Sequence, residues 1–276
     1  MLWSKAVTTE TSQSLVLSTA KKYIFTIDTV TTQPPTPLRI LLVGDNCLDV
    51  YQFGTVDRIS PEAPVPVFVA GHTEQRAGMA GNVKNNLEAL GCDVDFLFDG
   101  ISKKTRLIDS RSKQQIVRID NDVACKSVVV DYNALYYDAV VVSDYNKGTV
   151  SYEIIEKLRR EFSGPIFVDT KKTDLARLEG CIVKINQLEH SRITSACTDL
   201  IVTLGDQGAR WNGIHFTSKR VEVADVCGAG DTFLAALAYK YLVENSMSQA
   251  INFAIRASAV TVQHIGNYAP TSKEIA

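Results

Sequence analysis

The sequence predicts an α/β domain: a mostly parallel sheet with helices on both faces and a small β-sheet lid. Three observations carry this. Short apolar, β-branched runs alternate with amphipathic stretches, as strands and helices do around a sheet covered on both sides. Two stretches, VPVFVAG and KTRLIDSRSKQQIVRID, alternate apolar with polar residues instead, as strands with one wet face do. Polar residues gather where the apolar runs end, the edge at which parallel sheets hold ligands.

The elements follow in order. Residues 1–38 are rich in Thr and Ser and close on QPPTP, so they are expected to form a poorly ordered tail or extension. The alternative, that KKYIFTIDTV adds an edge strand, stays open. The domain is expected over 39–276, with the lid from about 51–70 and 104–119. RILLVG is a continuous apolar strand ending in Gly44, and MAGNVKNNLEALG reads as a helix stopped by Gly91. DAVVVSD is a buried strand, followed by the helix VSYEIIEKLRREF. GPIFVDT, CIVKIN and DLIVTLG are further strands. A helix starts after Gly230, and a last one runs through SQAINFAIRASAVTVQHIG.

Composition excludes several classes. The chain has 276 residues, a net charge of −2, 45% hydrophobic and 22% charged residues, which suits one large soluble domain with a real core. Near-neutral charge gives no support for a nucleic-acid or membrane partner. Six scattered cysteines without a C-x-x-C pair read as reduced thiols of a cytoplasmic protein. No apolar run reaches the roughly 20 residues that span a bilayer. The only early apolar patch is Leu15–Leu17, so no signal peptide is expected.

The strand exits supply the candidate site. Asp45 and Asp49 follow the first strand; Ser143, Asp144 and Lys147 follow the second. Asp169 and Lys171, then Asn186 and Glu189, then Thr203, Gly205 and Gly208 follow the next three. The stretch ADVCGAGDTFLAAL is the most informative. Gly228, Ala229 and Gly230 lead into a helix N-terminus, where small residues leave unpaired N–H groups open to an anion. Asp231 sits at the positive end of that helix, stays ionised, and is placed to take a proton from a hydroxyl. The adjacent N–H groups would stabilise charge on a transferring phosphoryl group. Taken singly, these residues also have plain structural readings. Asn186 and Glu189 fit a capping box, Gly205 and Gly208 a hairpin, Asp49 a turn, and Lys171 and Lys84 solvated charge.

The spacing decides between these readings by resemblance. DVCGAGDTFLAAL resembles the signature of the ribokinase-like (PfkB) carbohydrate kinases, and AGMAGNVKNNLEALG resembles a second pattern of that family, Lys84 departing from its usual small residue. GDNCLDVYQFGTVDRISPEAPVPV, KTRLIDSRSKQQIVRID, VVVSDYNKG, IFVDTKK and INQLE resemble, in the same order, the branch that phosphorylates heptose 7-phosphate. The resemblance implies a ribokinase-like fold, ATP and Mg²⁺ as cofactors, and a sugar phosphate as the small-molecule partner. It implies Asp231 as general base and Gly228, Ala229 and Gly230 as anion hole. Asn186 and Glu189 would place the magnesium, through water rather than as certain direct ligands. Thr203, Gly205 and Gly208 would form the nucleotide-side turn, with Lys171 beside it. Asp49, Gly78 and Asn82 would meet the sugar.

A phosphorylated sugar needs cations, for which Arg58, Arg76, Lys84, Arg106, Arg118, Lys147 and Lys171 are candidates. Lys84 and Arg106 stand out by position. The lid's two short strands leave edges that a homodimer would cover. HIGN at His264 carries Asn267 where the H-x-G-H of nucleotidyl transfer has its second His, so a stand-alone kinase is expected. His72, His190 and His215 have no ligand-like spacing.

The chain also departs from the family. After CDVDFLFDG a helix and a strand are missing, the segment between Glu189 and DLIVTLG is contracted, and Met79 stands where the heptose branch has glycine. The favoured acceptor is D-glycero-D-manno-heptose 7-phosphate, giving the 1,7-bisphosphate. Another sugar or phosphosugar, or a catalytically weak remnant that only binds sugar or nucleotide, are the alternatives.

Overall fold

The computed structural model describes residues 36–131 and 136–276, which lie in the unit Pro37–Ala276 apart from Thr36. The expectation for residues 1–38 falls almost entirely outside the described residues.

The main sheet has eight strands. In chain order these are β1 (Arg39–Gly44), β4 (Asp93–Leu97), β7 (Ala139–Asp144), β8 (Ile166–Thr170), β9 (Ile182–Asn186), β10 (Leu200–Thr203), β11 (Ala209–Trp211) and β12 (Ile214–Phe216). Their spatial order is β12-β11-β10-β9-β8-β7-β1-β4. The first six are parallel to one another, and the last two fold back as antiparallel edge strands. The period of two explains why β1 reads as unbroken apolar sequence. Ile40 and Leu42 enter the cluster on one face, Leu41 and Val43 the cluster on the other.

The first face is covered by α1 (Ala80–Ala89), α4 (Ala229–Glu244) and α5 (Met247–Thr261). The second is covered by α2 (Tyr152–Glu161), whose Ser151 hydroxyl accepts the Ile154 N–H at its start. Helix α4 is the central one. Every residue from Asp231 to Ala238 is buried, so it carries almost no polar face. Two single-turn helices, α3 (Gln187–His190) and α6 (Ser272–Ile275), complete the set.

The smaller sheet is built from β2 (Asn46–Ile59), β3 (Pro66–Met79), β5 (Ile101–Asp109) and β6 (Gln115–Asn121), ordered β3-β2-β5-β6. Its strands are longer than the alternating stretches that mark them in the sequence. β2 and β3 pair antiparallel from Asn46↔Met79 at the base of the sheet to Ile59↔Pro66 at its tip. The base of β2 lies against the main body and is buried, whereas its tip is exposed, so one alternation does not run through the whole strand.

Three local differences from the sequence reading have simple causes. The missing segment after Asp99 is replaced by one turn at Gly100, φ +70°, that carries the chain from β4 in one sheet to β5 in the other. The segment after Glu189 shrinks to α3 and a loop. The last long helix stops at Thr261 rather than near Gly266. There the Asp225 carboxylate takes the Gly266 N–H at 2.9 Å and Arg76 donates to the Ile265 carbonyl at 2.5 Å, which pulls the chain out of the helix. All six cysteines are unpaired. Among the described residues no helix is long and apolar enough to cross a membrane.

Candidate active site

Four groups of polar residues meet around the start of α4. At their centre is Asp231, 4% exposed. Its Oδ2 accepts from Asn82 Nδ2 at 2.9 Å and its Oδ1 accepts from the Tyr145 hydroxyl at 2.8 Å. Burial pushes the Asp231 pKa up to about 6, with Asp169 adding to the rise; the two hydrogen bonds and Lys184 oppose it. Such a carboxylate is ionised at neutral pH and close enough to its pKa to take up a proton.

The turn before it is shaped for an anion. Gly228 has φ +77° and starts the helix from the left-handed region. The positive φ favours glycine at 228, and a Cβ there would lie 2.7 Å from Asn82 Nδ2 and 2.9 Å from Asn267 Oδ1, displacing both amides. The Ala229 N–H donates back to the Val226 carbonyl at 3.4 Å, and the Thr232 N–H donates to the Gly228 carbonyl at 2.9 Å. A Cβ on Gly230 would meet Lys184 Nζ at 3.0 Å. A buried ammonium, held by Asp169 Oδ2 at 2.7 Å, therefore stands beside the turn.

On one side of this turn lies a cavity of about 730 Å³. Thr203, Gly205 and Gly208 line it together with Ala229 and Gly230. Its wall is mainly apolar (Val221, Val226, Phe233, Ile255, Val262) and its rim polar (Ser218, Lys219, Arg220). That mixture fits a nucleotide: an apolar slot for the base and donors at the phosphate end. Gly208, φ +95°, permits the turn because a Cβ would strike the Phe216 carbonyl at 2.0 Å.

Next to it, Asn186 and Glu189 form a reciprocal capping box, each side chain accepting the other's N–H at 2.8 Å. The capping reading is thus correct as geometry, and it also fixes both side chains. The Lys171 ammonium contacts Glu189 Oε1. Burial works against ionisation of Glu189, but the Asn186 N–H and Lys171 outweigh it and hold the carboxyl below its ordinary range.

Asp49 is 5% exposed. Its Oδ1 accepts from Arg106 Nη1 at 2.6 Å and its Oδ2 from Asn267 Nδ2 at 2.9 Å. Gly78 packs close beside it: a Cβ would stand 2.2 Å from Asp49 Oδ2 and would displace that carboxylate. Asn267 joins this group to the turn at Gly228.

Lys84 is not part of the cluster. Its ammonium sits on Glu88, one turn along α1, as a solvated helix pair. Other candidate cations are also engaged: Arg76 on the Ile265 carbonyl and Glu74, Arg118 on Asp120, and Lys147 on Asp122. Asp45 serves the scaffold, taking the N–H groups of Tyr145, Lys147 and Thr149 at 2.8, 3.0 and 3.2 Å. Met79 enters α1 with φ +52° and ψ −133°, a conformation open to glycine and costly for methionine.

Sequence reasoning passed over three residues that the structure brings in. Tyr145 lay within the quoted VVVSDYNKG and Asn267 within HIGN. Lys184 carried a usable signal, a charge inside the otherwise apolar run CIVKIN.

Residues 171–274 match the pfkB family of carbohydrate kinases. The bifunctional protein HldE of Nitratiruptor sp. is 33% identical over 299 residues, which cover 86% of this chain and 64% of that protein. HldE of Methylococcus capsulatus is 31% identical, covering 86% and 63%. The chain thus spans just under two thirds of the length of these relatives. Among solved structures, Arabidopsis thaliana ribokinase complexed with ribose and ATP superposes with a TM-score of 0.66 at 17% identity, covering 87% of this chain and 97% of that one. Phosphofructokinase-2 from Escherichia coli superposes with a TM-score of 0.64 at 16% identity, covering 87% and 97%. At that identity the likeness establishes the fold, which is ribokinase-like as the resemblance implied.

Proposed function

We infer that this chain, whose residues 171–274 match the pfkB family of carbohydrate kinases, phosphorylates a sugar hydroxyl with ATP. The observation that carries the reading is the position of Asp231. It is buried at the head of α4, directly after Ala229 and Gly230, which line a nucleotide-sized cavity, and it is bonded to Asn82, which stands beside Gly228 together with Asn267, the partner of Asp49.

In this reading Asp231 takes the proton of the acceptor hydroxyl. The Gly228–Gly230 turn faces the transferring phosphoryl group, whose charge its amides and the Lys184 ammonium stabilise. Asp49 and Asn82 bind sugar hydroxyls. The apolar wall of the cavity receives the adenine. No cluster of three or more His, Cys, Asp or Glu side chains suited to a metal occurs among the described residues. Asn186 and Glu189, fixed by their capping box, would hold Mg²⁺ through water. The ion supplies charge neutralisation on the phosphates.

The acceptor we favour is D-glycero-D-manno-heptose 7-phosphate, phosphorylated at its anomeric hydroxyl. The identity to the HldE proteins and the branch-like stretch RISPEAPVP support it. The test is ADP release from ATP with a panel of phosphosugars. Turnover of heptose 7-phosphate but not of the unphosphorylated heptose is expected. Equal rates on the two would reject a phosphosugar kinase. Calorimetric binding of sugar or nucleotide without turnover of anything in the panel would select the remnant instead.

We also propose that two copies pair through the smaller sheet. Its edge strand β6 is exposed along its whole length, with Ile116, Val117 and Ile119 among its residues. An unpaired apolar edge is a liability that a two-fold partner removes. Sedimentation at micromolar concentration should give a dimer. A monomer with full activity would refute the pairing.

A further inference from the structure

We propose that Tyr145 is the positioning residue of the base: its hydroxyl orients Asp231 and keeps it ionised, and its ring ties that hold to the lid. This rests on the reading of Asp231 as the base.

Several observations converge on this side chain. The Tyr145 hydroxyl donates to Asp231 Oδ1 at 2.8 Å. Its backbone is pinned, because Asp45 takes the N–H groups at 145, 147 and 149. The ring faces two lysines. Lys104 of the lid strand β5 lies 5.7 Å from its centroid, and Lys171, from the loop after β8, lies 4.9 Å away. Lys171 in turn holds Glu189. One residue thus touches the base, the lid and the nucleotide side.

The electrostatics give the contact its consequence. Asp231 is faced by Asn82 from α1, Tyr145, Asp169 from β8 and Lys184 from β9. Burial, followed by the nearby Asp231, Asp169 and Glu189 charges, holds the phenol well above its ordinary pKa, so it remains a donor. A donor to a buried carboxylate favours the ionised form. Each carboxylate oxygen has two acceptor directions, so Oδ1 can hold Tyr145 and still receive a substrate proton. Without the phenol, the buried carboxylate keeps one side-chain donor, Asn82, and protonates more readily.

The test is Tyr145→Phe, which keeps the ring and both cation contacts and removes the hydroxyl. The acid limb of kcat/KM for the phosphosugar should move to higher pH by about one unit, the scale of a hydrogen bond to a charged group. The KM for ATP should stay unchanged. A packing role alone would alter thermal stability or KM and leave the limb in place; an unmoved limb in a folded variant overturns the proposal. Should the variant not fold, 3-fluorotyrosine placed at 145, a stronger donor of nearly the same shape, should move the limb to lower pH, and no movement counts against the idea equally. If the wild type turns over no sugar, the kinase reading fails first. The coupling is then read from thermal unfolding against pH. The difference between wild type and Asp231→Asn should bend near pH 6, and Tyr145→Phe should shift that bend upward. A bend that stays put overturns the proposal whatever the enzyme's activity.

Discussion

Asp231→Asn should lower turnover at least about 100-fold, the usual scale for loss of a general base. ATP affinity should change little, because the cavity wall and the amides at 228–230 are untouched. The amide has nearly the shape of the carboxylate but no basic oxygen. A variant that retains more than a tenth of wild-type turnover would remove Asp231 from the role of base. The same substitution has a stability signature of known sign. The folded-state pKa of Asp231 is raised from 3.8 to about 6, so the folded protein binds this proton more tightly than the unfolded chain does. The contribution is fully present below the unfolded value and is lost as pH rises through 6. It amounts to about 3 kcal/mol between those limits. The wild type should lose stability over that interval relative to Asp231→Asn, whose side chain does not titrate.

Lys184→Met should be the most damaging substitution to folding. The Lys184 side chain is 4% exposed and its partner Asp169 13%. Removing one member of such a pair leaves a buried, uncompensated carboxylate, at a cost of about 3–5 kcal/mol. For a domain of this size that is a fall in Tm of roughly 10 °C. Burial already holds the Asp169 pKa above its ordinary value against the pull of Lys184, and without the lysine it should rise further. Two roles can be separated. The double change Lys184→Met with Asp169→Asn should recover much of the stability but not the KM for ATP, because the ammonium beside Gly230 is still gone. Recovery of both would make Lys184 a structural residue alone, and a single variant as stable as the wild type would show that the pair does not hold the site together.

Much of the frame was legible from single stretches. β1, β7 and β8 are buried on both faces, so their apolar runs are continuous and unambiguous. The turn at Gly228–Gly230 was legible because a helix start with an open turn leaves a local trace: small residues followed by an acid. The smaller sheet was harder to delimit. β2 passes from a buried base to an exposed tip, and no one period describes it. The contraction after Asp99 could be counted in residues, but not that one left-handed glycine would carry the chain between sheets.

The sequence by itself determined the α/β class, five of the eight main-sheet strands (β1, β7, β8, β9 and β10, but not β4, β11 or β12), the position of the acid at the head of α4, and the glycines that the turn requires. These are properties of a residue and its near neighbours, fixed by periodicity and backbone sterics. The tertiary structure alone decided which side chains reach that acid. Asn82 lies 149 residues away and Tyr145 lies 86 away; Asn267 meets Asp49 across 218. It also decided that Lys84 turns to Glu88 while Lys184 turns inward to Asp169. A lysine's destination depends on which carboxylate the fold brings within reach of its flexible stem and on whether water can reach the pair, and neither is written in its own neighbourhood of the chain.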